Sequence, residues 1–301
     1  MASQFTRLAL CRQKSKTMNR SKFIRQMIGT VGLSVTLAEK IYREYHQKTF
    51  AVRLLRHATL VVEAGQITFL IDPMLGAKDS MEPVKQAGND RRIPMVDLPL
   101  TKGELKKLID TTDAVMVTHT HRDHWDAEAI NLIPKDKPLI CQPADVTLFQ
   151  HQGFTQLFPV DTTLNWQGID IHRTGGQHGT GETGKRMGPV SGFVLKKEGE
   201  VLYVAGDTIW CEEVQQAIQL HQPGCIIVNA GAATFTGGDP ITMHTQDVIR
   251  TARAAANSQV IAVHMETVNH CMLTREQLLA AIRQAGLTEQ VRIPADGDWA
   301  I

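Results

Sequence analysis

Nowhere in its 301 residues does this chain carry the run of about 20 apolar residues that a membrane-crossing helix needs. The apolar stretch nearest its start, Met27 to Ala38 ("MIGTVGLSVTLA"), is 12 residues long, so no stable membrane span is expected. Cysteine is scarce as well. Cys11, Cys141, Cys211, Cys225 and Cys271 are odd in number, scattered and never spaced C-x-x-C, which argues against a disulfide framework or a thiolate metal site and fits a reducing compartment. Net charge is nearly absent, at +1, so no whole-protein field points to nucleic acid or to a membrane surface. Acidic residues are missing from one region: residues 1–38 hold seven Lys/Arg and no acid before Glu39. There "RSKFIR" (Arg20 to Arg25) precedes the apolar stretch in the outline of a secretory leader, yet an adjacent arginine pair and an A-x-A site are both missing. Residues 1–50 therefore read as a basic, helical N-terminal arm on a cytoplasmic protein. Export or membrane association through residues 1–38 is the alternative.

What is present is the composition of an ordinary soluble protein, 43% hydrophobic and 21% charged, long enough to bury a large core. From Val52, "VRLLRHATLVVEAGQITFLIDP" reads as short β runs broken at Arg56-His57 and Ala64-Gly65 and closed by Pro73. Residues 74–100 are loop-like. Thr101 and Glu104 then form a capping box that opens a helix to about Asp110, "DAVMVTH" is a buried strand, and Asp126 caps a further helix. Strand and helix alternate from there, with β-like runs at "TLNW", "GIDIHR" and "SGFVLKK" and helices near 212–221, 245–256 and 275–285. The pattern predicts an α/β fold with sheets inside and helices outside, a single domain over 51–301.

Histidine is concentrated. "THTHRDHWD", Thr118 to Asp126, holds three of the 12 histidines. The apolar runs "AVMVTH", "VLYVAGD" and "VIAVH" end at His119, Asp207 and His264, so three distant strands each deliver a metal-competent side chain at the same end, where sites form in layered α/β folds. His119 and His121 lie two apart and point the same way on extended backbone; Asp123 and His124 follow where the chain turns into the next helix. A fourth histidine, His178, lies in the glycine-rich loop "GGQHGTGETG". Nitrogen and oxygen donors without thiolate suit zinc, and also iron, manganese or cobalt.

H-x-H-x-D-H after a strand, a later loop histidine, a strand-end "GD" and a final strand-end histidine together resemble the metallo-β-lactamase fold superfamily, over about residues 51–301. The start "LLRHATLVVEAGQITFLIDPML" resembles its ascorbate-phosphate lactonase-like and phospholipase D-like branch, with Arg56 in place of the usual glycine. The resemblance implies a four-layer αββα sandwich. It also implies two divalent metals, Zn2+ first with Mn2+ or Fe2+ as alternatives: one held by His119, His121 and His178, the other by Asp123, His124 and His264, with Asp207 bridging. Such a pair shares a water, lowers its pKa and uses the resulting hydroxide as nucleophile, so no Ser or Cys nucleophile is required. The expectation is a hydrolase acting on an ester, lactone or phosphodiester of a small molecule. Diiron oxidoreductases similar to this fold place Glu where this chain has His121, which disfavours that alternative; a non-catalytic metal- or ligand-binding member is the other.

Further expectations concern the surroundings. Asp123 and Asp207 are assigned to the catalytic centre, and His244 to substrate binding or leaving-group protonation. Asp126 or Glu182 is expected to accept from the outer nitrogens of ligand histidines. His57 and His270 read as supporting groups, Trp125 as packing, and loops 74–100, 179–188 and 230–243 as pocket walls. The expected partner is a small-molecule substrate, with no nucleic acid; the sequence is silent on oligomeric state.

Overall fold

The structure, a computed structural model, describes residues 49–301 together with Arg25, Gly29 and Ser34. The chain divides into two units, Met1–Thr49 and Phe50–Ile301, and the fold described is that of the second. The arm expected over residues 1–50 lies outside the described residues but for these few positions. Among the described residues, no helix is long and apolar enough to cross a membrane.

Thirteen strands among the described residues form two sheets. The first has six strands in sequence order: β1 (Phe50–Arg56), β2 (Thr59–Ala64), β3 (Ile67–Ile71), β4 (Ala114–Val117), β5 (Leu139–Cys141) and β6 (Leu157–Pro159). The second runs, in spatial order, β13 (Val291–Arg292), β12 (Gln259–Val263), β11 (Cys225–Asn229), β10 (Glu200–Val204), β9 (Gly192–Lys197), β8 (Ile169–Thr174) and β7 (Thr163–Trp166). Each sheet starts with antiparallel hairpins and continues as parallel strands, β3 to β6 and β10 to β13.

Alternation along the parallel strands sorts the layers. In β4, Ala114 and Met116 face the space between the sheets, and Val115 and Val117 face outward. In β10, Leu202 and Val204 point inward and Tyr203 outward; in β12 the inward pair is Ile261 and Val263. The outward residues of the first sheet are covered by helices α1 (Lys102–Thr111), α2 (Ala127–Leu132) and α3 (Val146–His151). Those of the second sheet are covered by α5 (Glu212–His221), α6 (Thr245–Ala254) and α7 (Arg275–Gln284). Strands buried on both faces must be apolar throughout, which is why β4, β11 and β12 read as continuous hydrophobic runs. The result is the expected four-layer αββα sandwich.

The helix boundaries follow local chemistry. Thr101 with Glu104, and Thr274 with Gln277, form complete capping boxes, and Asp126 accepts from the amide of Ala129. Three elements differ from the sequence reading. The loop expected after His178 contains a short helix, α4 (Gly181–Met187), hidden by two internal glycines that carry poor helix propensity. Strands β6 and β13 are three and two residues long at sheet edges, too short to show a period. His57 sits in the tight turn between β1 and β2 with φ of 55°, at the break read from Arg56-His57.

Arg56 is fully buried, and its guanidinium donates to the carbonyls of Val96 at 3.0 Å, Met74 at 2.9 Å, and Gly76, tying loop 74–100 to the first sheet. Burial pushes its pKa down to about 10, against the opposing pull of Asp126, Asp296 and Asp97, so it stays charged at neutral pH. At the centre of the inter-sheet core, Phe69 packs on Trp166 with ring centroids 5.5 Å apart. Phe69→Ala is expected to lower stability by about 3–5 kcal/mol, read as a shifted urea midpoint with unchanged slope.

Candidate metal centre

The carboxyl ends of the parallel strands of both sheets meet at one place. β3 runs into Asp72, β4 into His119, β10 into Asp207, β11 ends at Asn229 and β12 runs into His264. The segment after β4 turns sharply, with the amides of His124 and Trp125 both donating to the carbonyl of His121 at 2.9 Å. That turn brings His121, Asp123 and His124 beside His119. His178 arrives from the loop after β8.

Three overlapping sets of side chains result, one of them His119, His124 and Asp207. The ligand-type atoms of His119, His121 and His178 lie within 4.8 Å of one another, as do those of His57, Asp123, His124 and His264. Asp207 joins them: its Oδ2 is 3.8 Å from His119 Nε2, 3.2 Å from His124 Nε2 and 3.5 Å from His178 Nε2, and its Oδ1 is 3.3 Å from His264 Nε2. Asp123 Oδ2 stands 3.7 Å from His264 Nε2. All seven residues that the sequence assigned to metals are therefore gathered in one cluster, with His121 half-buried at its rim.

Local backbone is bent to achieve this. Asp72 and His264 have φ of 45° and 70°, left-handed conformations rare outside glycine and costing about 1–3 kcal/mol each. Gly206, before Asp207, has φ of 69°, and a Cβ there would lie 2.5 Å from the Ser191 carbonyl. Only glycine lets β10 hand over directly to that aspartate.

The outer nitrogens show what the inner ones can do. His124 Nδ1 donates to Asp72 Oδ2 at 2.8 Å, and His178 Nδ1 to the Ile241 carbonyl at 2.8 Å. His119 Nδ1 lies 3.1 Å from Thr118 Oγ1, whose own hydrogen goes to Asp72 Oδ2 at 2.7 Å, so His119 donates there. His264 Nδ1 is 3.6 Å from Cys271 Sγ. With protons held outside, Nε2 of His119 and His178 faces inward bare, the state a divalent ion requires, and Nε2 of His124 is bared when a cation replaces the proton its carboxylates hold there. His121 turns the other way and offers Nδ1, 2.9 Å from His119 Nε2. His57 is the exception. Its Nδ1 is buried without a partner, and its Nε2 lies 3.1 Å from Asp123 Oδ2. A proton on Nδ1 would be an unmatched buried donor, so it belongs on Nε2, where it bonds Asp123.

Asp72 thus supports His124 directly and His119 through Thr118, the role the sequence reading gave to Asp126 or Glu182. Neither takes it. Asp126 is engaged by the amides of Gly76 at 2.6 Å and Ala129 at 2.7 Å, and Glu182 is exposed and paired with Lys185. Asn229 donates to Asp207 Oδ1 at 2.6 Å and fixes that carboxylate.

Burial pushes Asp207 and Asp123 toward protonation, but His124 and the neighbouring imidazoles hold both pKa values well below the usual range. Burial would likewise lower His124, yet Asp207, Asp123 and Asp72 hold it well above the usual histidine value. At His119 and His264 burial wins, and both fall well below it. Ionised acids among mostly neutral imidazoles in a dry volume call for cations, and the donor set fits them.

Over the cluster lies a cavity of about 390 Å³, floored by His121, Asp123, His178 and Asp207 and walled by Val84, Met187, Phe235, Ile241 and His270 among others. The three expected loops all contribute, and the segment carrying His270 joins them. His244 is not among the lining residues. It is the N-cap of α6, with Nδ1 2.8 Å from Asp247 Oδ2. Trp125 packs edge-on against Phe149 and Phe154 in the outer core.

Residues 68–265 match the family model described as the Beta-lactamase superfamily domain. The UPF0173 protein YddR of Bacillus subtilis (strain 168) is 37% identical over 251 residues, covering 81% of this chain and 96% of that protein. Among solved structures, "a possible metal-dependent hydrolase from Veillonella parvula DSM 2008" is 35% identical with a TM-score of 0.79, covering 83% of this chain and 98% of that one. An isothiocyanate hydrolase from Delia radicum gut bacteria is 33% identical with a TM-score of 0.78, covering 84% and 98% respectively.

Burial pushes the pKa of His270 down to about 4, so the folded protein resists protonating it while the unfolded chain takes a proton near pH 6.5. Its contribution therefore vanishes above pH 6.5 and destabilises progressively as pH falls to about 4, by about 3 kcal/mol at the limit. Metal-free His270→Gln is expected to lose less stability than the parent over that window, measured by urea unfolding at pH 7 and pH 4.5.

Proposed function

The chain belongs to the beta-lactamase superfamily as a metal-dependent hydrolase, and we propose that it is a binuclear one, cleaving an ester, lactone or phosphodiester bond of a small molecule. The observation that carries this reading is the reach of Asp207. Its Oδ2 lies 3.8, 3.5 and 3.2 Å from His119, His178 and His124 and its Oδ1 3.3 Å from His264, so one carboxylate stands against residues of both centres. The first centre comprises His119, His121 and His178, and the second Asp123, His124 and His264. His57 stays outside the ligand set, because its proton is needed toward Asp123 and its other nitrogen is sealed. Zinc suits these donors first, with manganese or iron(II) as alternatives. A cytoplasmic location belongs to the same proposal.

When bound, such a pair supplies a water acidified to near neutrality and Lewis-acid stabilisation of charge on the scissile oxygen. The protein's own contribution is positional. Asn229 keeps Asp207 from rotating, Asp72 fixes the ring planes of His119 and His124, and His57 holds Asp123. Val84, Met187, Phe235 and Ile241 give the cavity an apolar wall beside the charged Glu82, Lys85 and Arg122. Isothiocyanate hydrolysis, R–N=C=S with water giving the amine and carbonyl sulfide, is a second reading, favoured by those walls and by the similarity to the isothiocyanate hydrolase.

Elemental analysis of the purified protein, followed by a screen of lactones, phosphodiesters, thioesters and isothiocyanates with added zinc or manganese, tests the proposal. Asp123→Ala and His264→Ala are each expected to lower bound metal from about two equivalents to about one and to abolish turnover. Full activity in His264→Ala would remove the second centre. Asp72→Asn should leave the fold intact by circular dichroism and weaken metal binding about 10–100-fold in a chelator competition, since it removes the carboxylate behind two ligands.

A further inference from the structure

His270 lines the cavity over the cluster but belongs to none of the sets of metal-type atoms. It is 6% exposed, and its Nδ1 is sealed from solvent with no hydrogen-bond partner. Nε2 makes no hydrogen bond to protein among the described residues, and the ring lines the cavity. A histidine with one sealed, partnerless nitrogen settles its proton on the other, because a bare buried nitrogen is tolerated better than an unmatched buried N–H. The ring therefore presents an Nε2–H donor, and the cavity is the space left for what it binds.

The segment is held rigidly. The Thr234 amide donates to the His270 carbonyl at 2.9 Å. Next to it, the Asn269 side chain donates to the carbonyls of Val84 and Asn89 at 3.1 and 2.8 Å and accepts from the Val84 amide at 2.8 Å. Loop 82–89 and residues 268–271 thus form one wall. The Phe235 ring lies 5.9 Å from the imidazole.

Resting on the metal-centre reading, we propose that His270 is a substrate-contacting residue: its neutral Nε2–H binds the heteroatom of the scissile group on which negative charge develops, while Val84, Met187 and Phe235 receive an apolar substituent. The substrate class is a small molecule with a single hydrogen-bond-accepting electrophile joined to an apolar group. A donor already fixed in place stabilises charge that appears only in the transition state, and removing one such donor typically costs about 100- to 1000-fold.

The test compares the parent with His270→Leu and His270→Gln, all metal-loaded, using benzyl isothiocyanate and 4-nitrophenyl acetate as probes. His270→Leu should bind metal like the parent and lose about 100-fold in kcat/KM, chiefly through kcat, and His270→Gln should recover most of the loss because its amide can donate from the same place. Parent-like kinetics in His270→Leu at unchanged metal content would overturn the assignment. Long-range 1H–15N NMR gives a readout apart from turnover: the His270 proton should be on Nε2 and shift when inorganic phosphate binds. A proton on Nδ1, or an Nε2 signal unmoved at saturating phosphate, also overturns it. Metal content below two equivalents in the parent would instead count against the binuclear reading.

Discussion

Two ionised carboxylates and five imidazoles cannot be packed into a dry volume unless something positive sits among them. Everything else in the site follows from that constraint. Asp207 and Asp123 resist protonation despite burial, while burial strips the proton from His119 and His264. His124, caught between three carboxylates, takes on the positive character that the rest of the cluster lacks. A purely structural histidine cluster would distribute protons so that each nitrogen met a partner. Here His119 Nε2 faces His121 Nδ1 at 2.9 Å, and His124 Nε2 faces His264 Nε2 at 3.2 Å, lone pair toward lone pair unless a proton or a cation comes between.

The fold can support this because it places the strain in the backbone, away from the ligands' side chains. Parallel strands from two sheets end at the same place, so Asp72, His119, Asp207 and His264 are delivered by elements whose positions are fixed by a core buried on both faces. The left-handed turns at His57, Asp72 and His264 then redirect the chain within a single residue. The His264 amide donates to the His57 carbonyl at 2.9 Å, and the two ring centroids lie 3.6 Å apart at a tilt of 34°, so two strained positions from different sheets stabilise one another.

Most of the fold was legible because its signals are local. Apolar strands four or five residues long, two capping boxes and the aspartate cap at Asp126 each follow from neighbouring residues. The cluster at 119–124 and the strand-end positions of Asp207 and His264 were legible for the same reason: a strand that ends on a polar residue points it out of the core. Partners across the fold were not. Nothing near Asp72 in "LIDP" shows that its carboxylate reaches 46 residues to Thr118 and 52 to His124. Asp126 looked available because its capping duty and its bond from Gly76 already saturate it only in three dimensions. His244 looked like a pocket residue because it follows the β11 loop, but its helix needs it as a cap beside Asp247.

The distribution of protons separates groups that composition treats alike. Six histidines crowd the centre, counting His57, and a seventh stands above it. Those with an outer acceptor, His119, His124 and His178, can turn a bare nitrogen inward. Those whose Nδ1 has no partner, His57 and His270, must turn a proton outward from Nε2 instead. For His57 that proton meets Asp123; for His270 it meets no protein atom among the described residues. An N–H that faces the cavity and no protein atom is a donor open to whatever enters it. The ligand histidines and the donor histidines are therefore distinguished by the atom behind each ring, which neither a motif nor a residue count reveals.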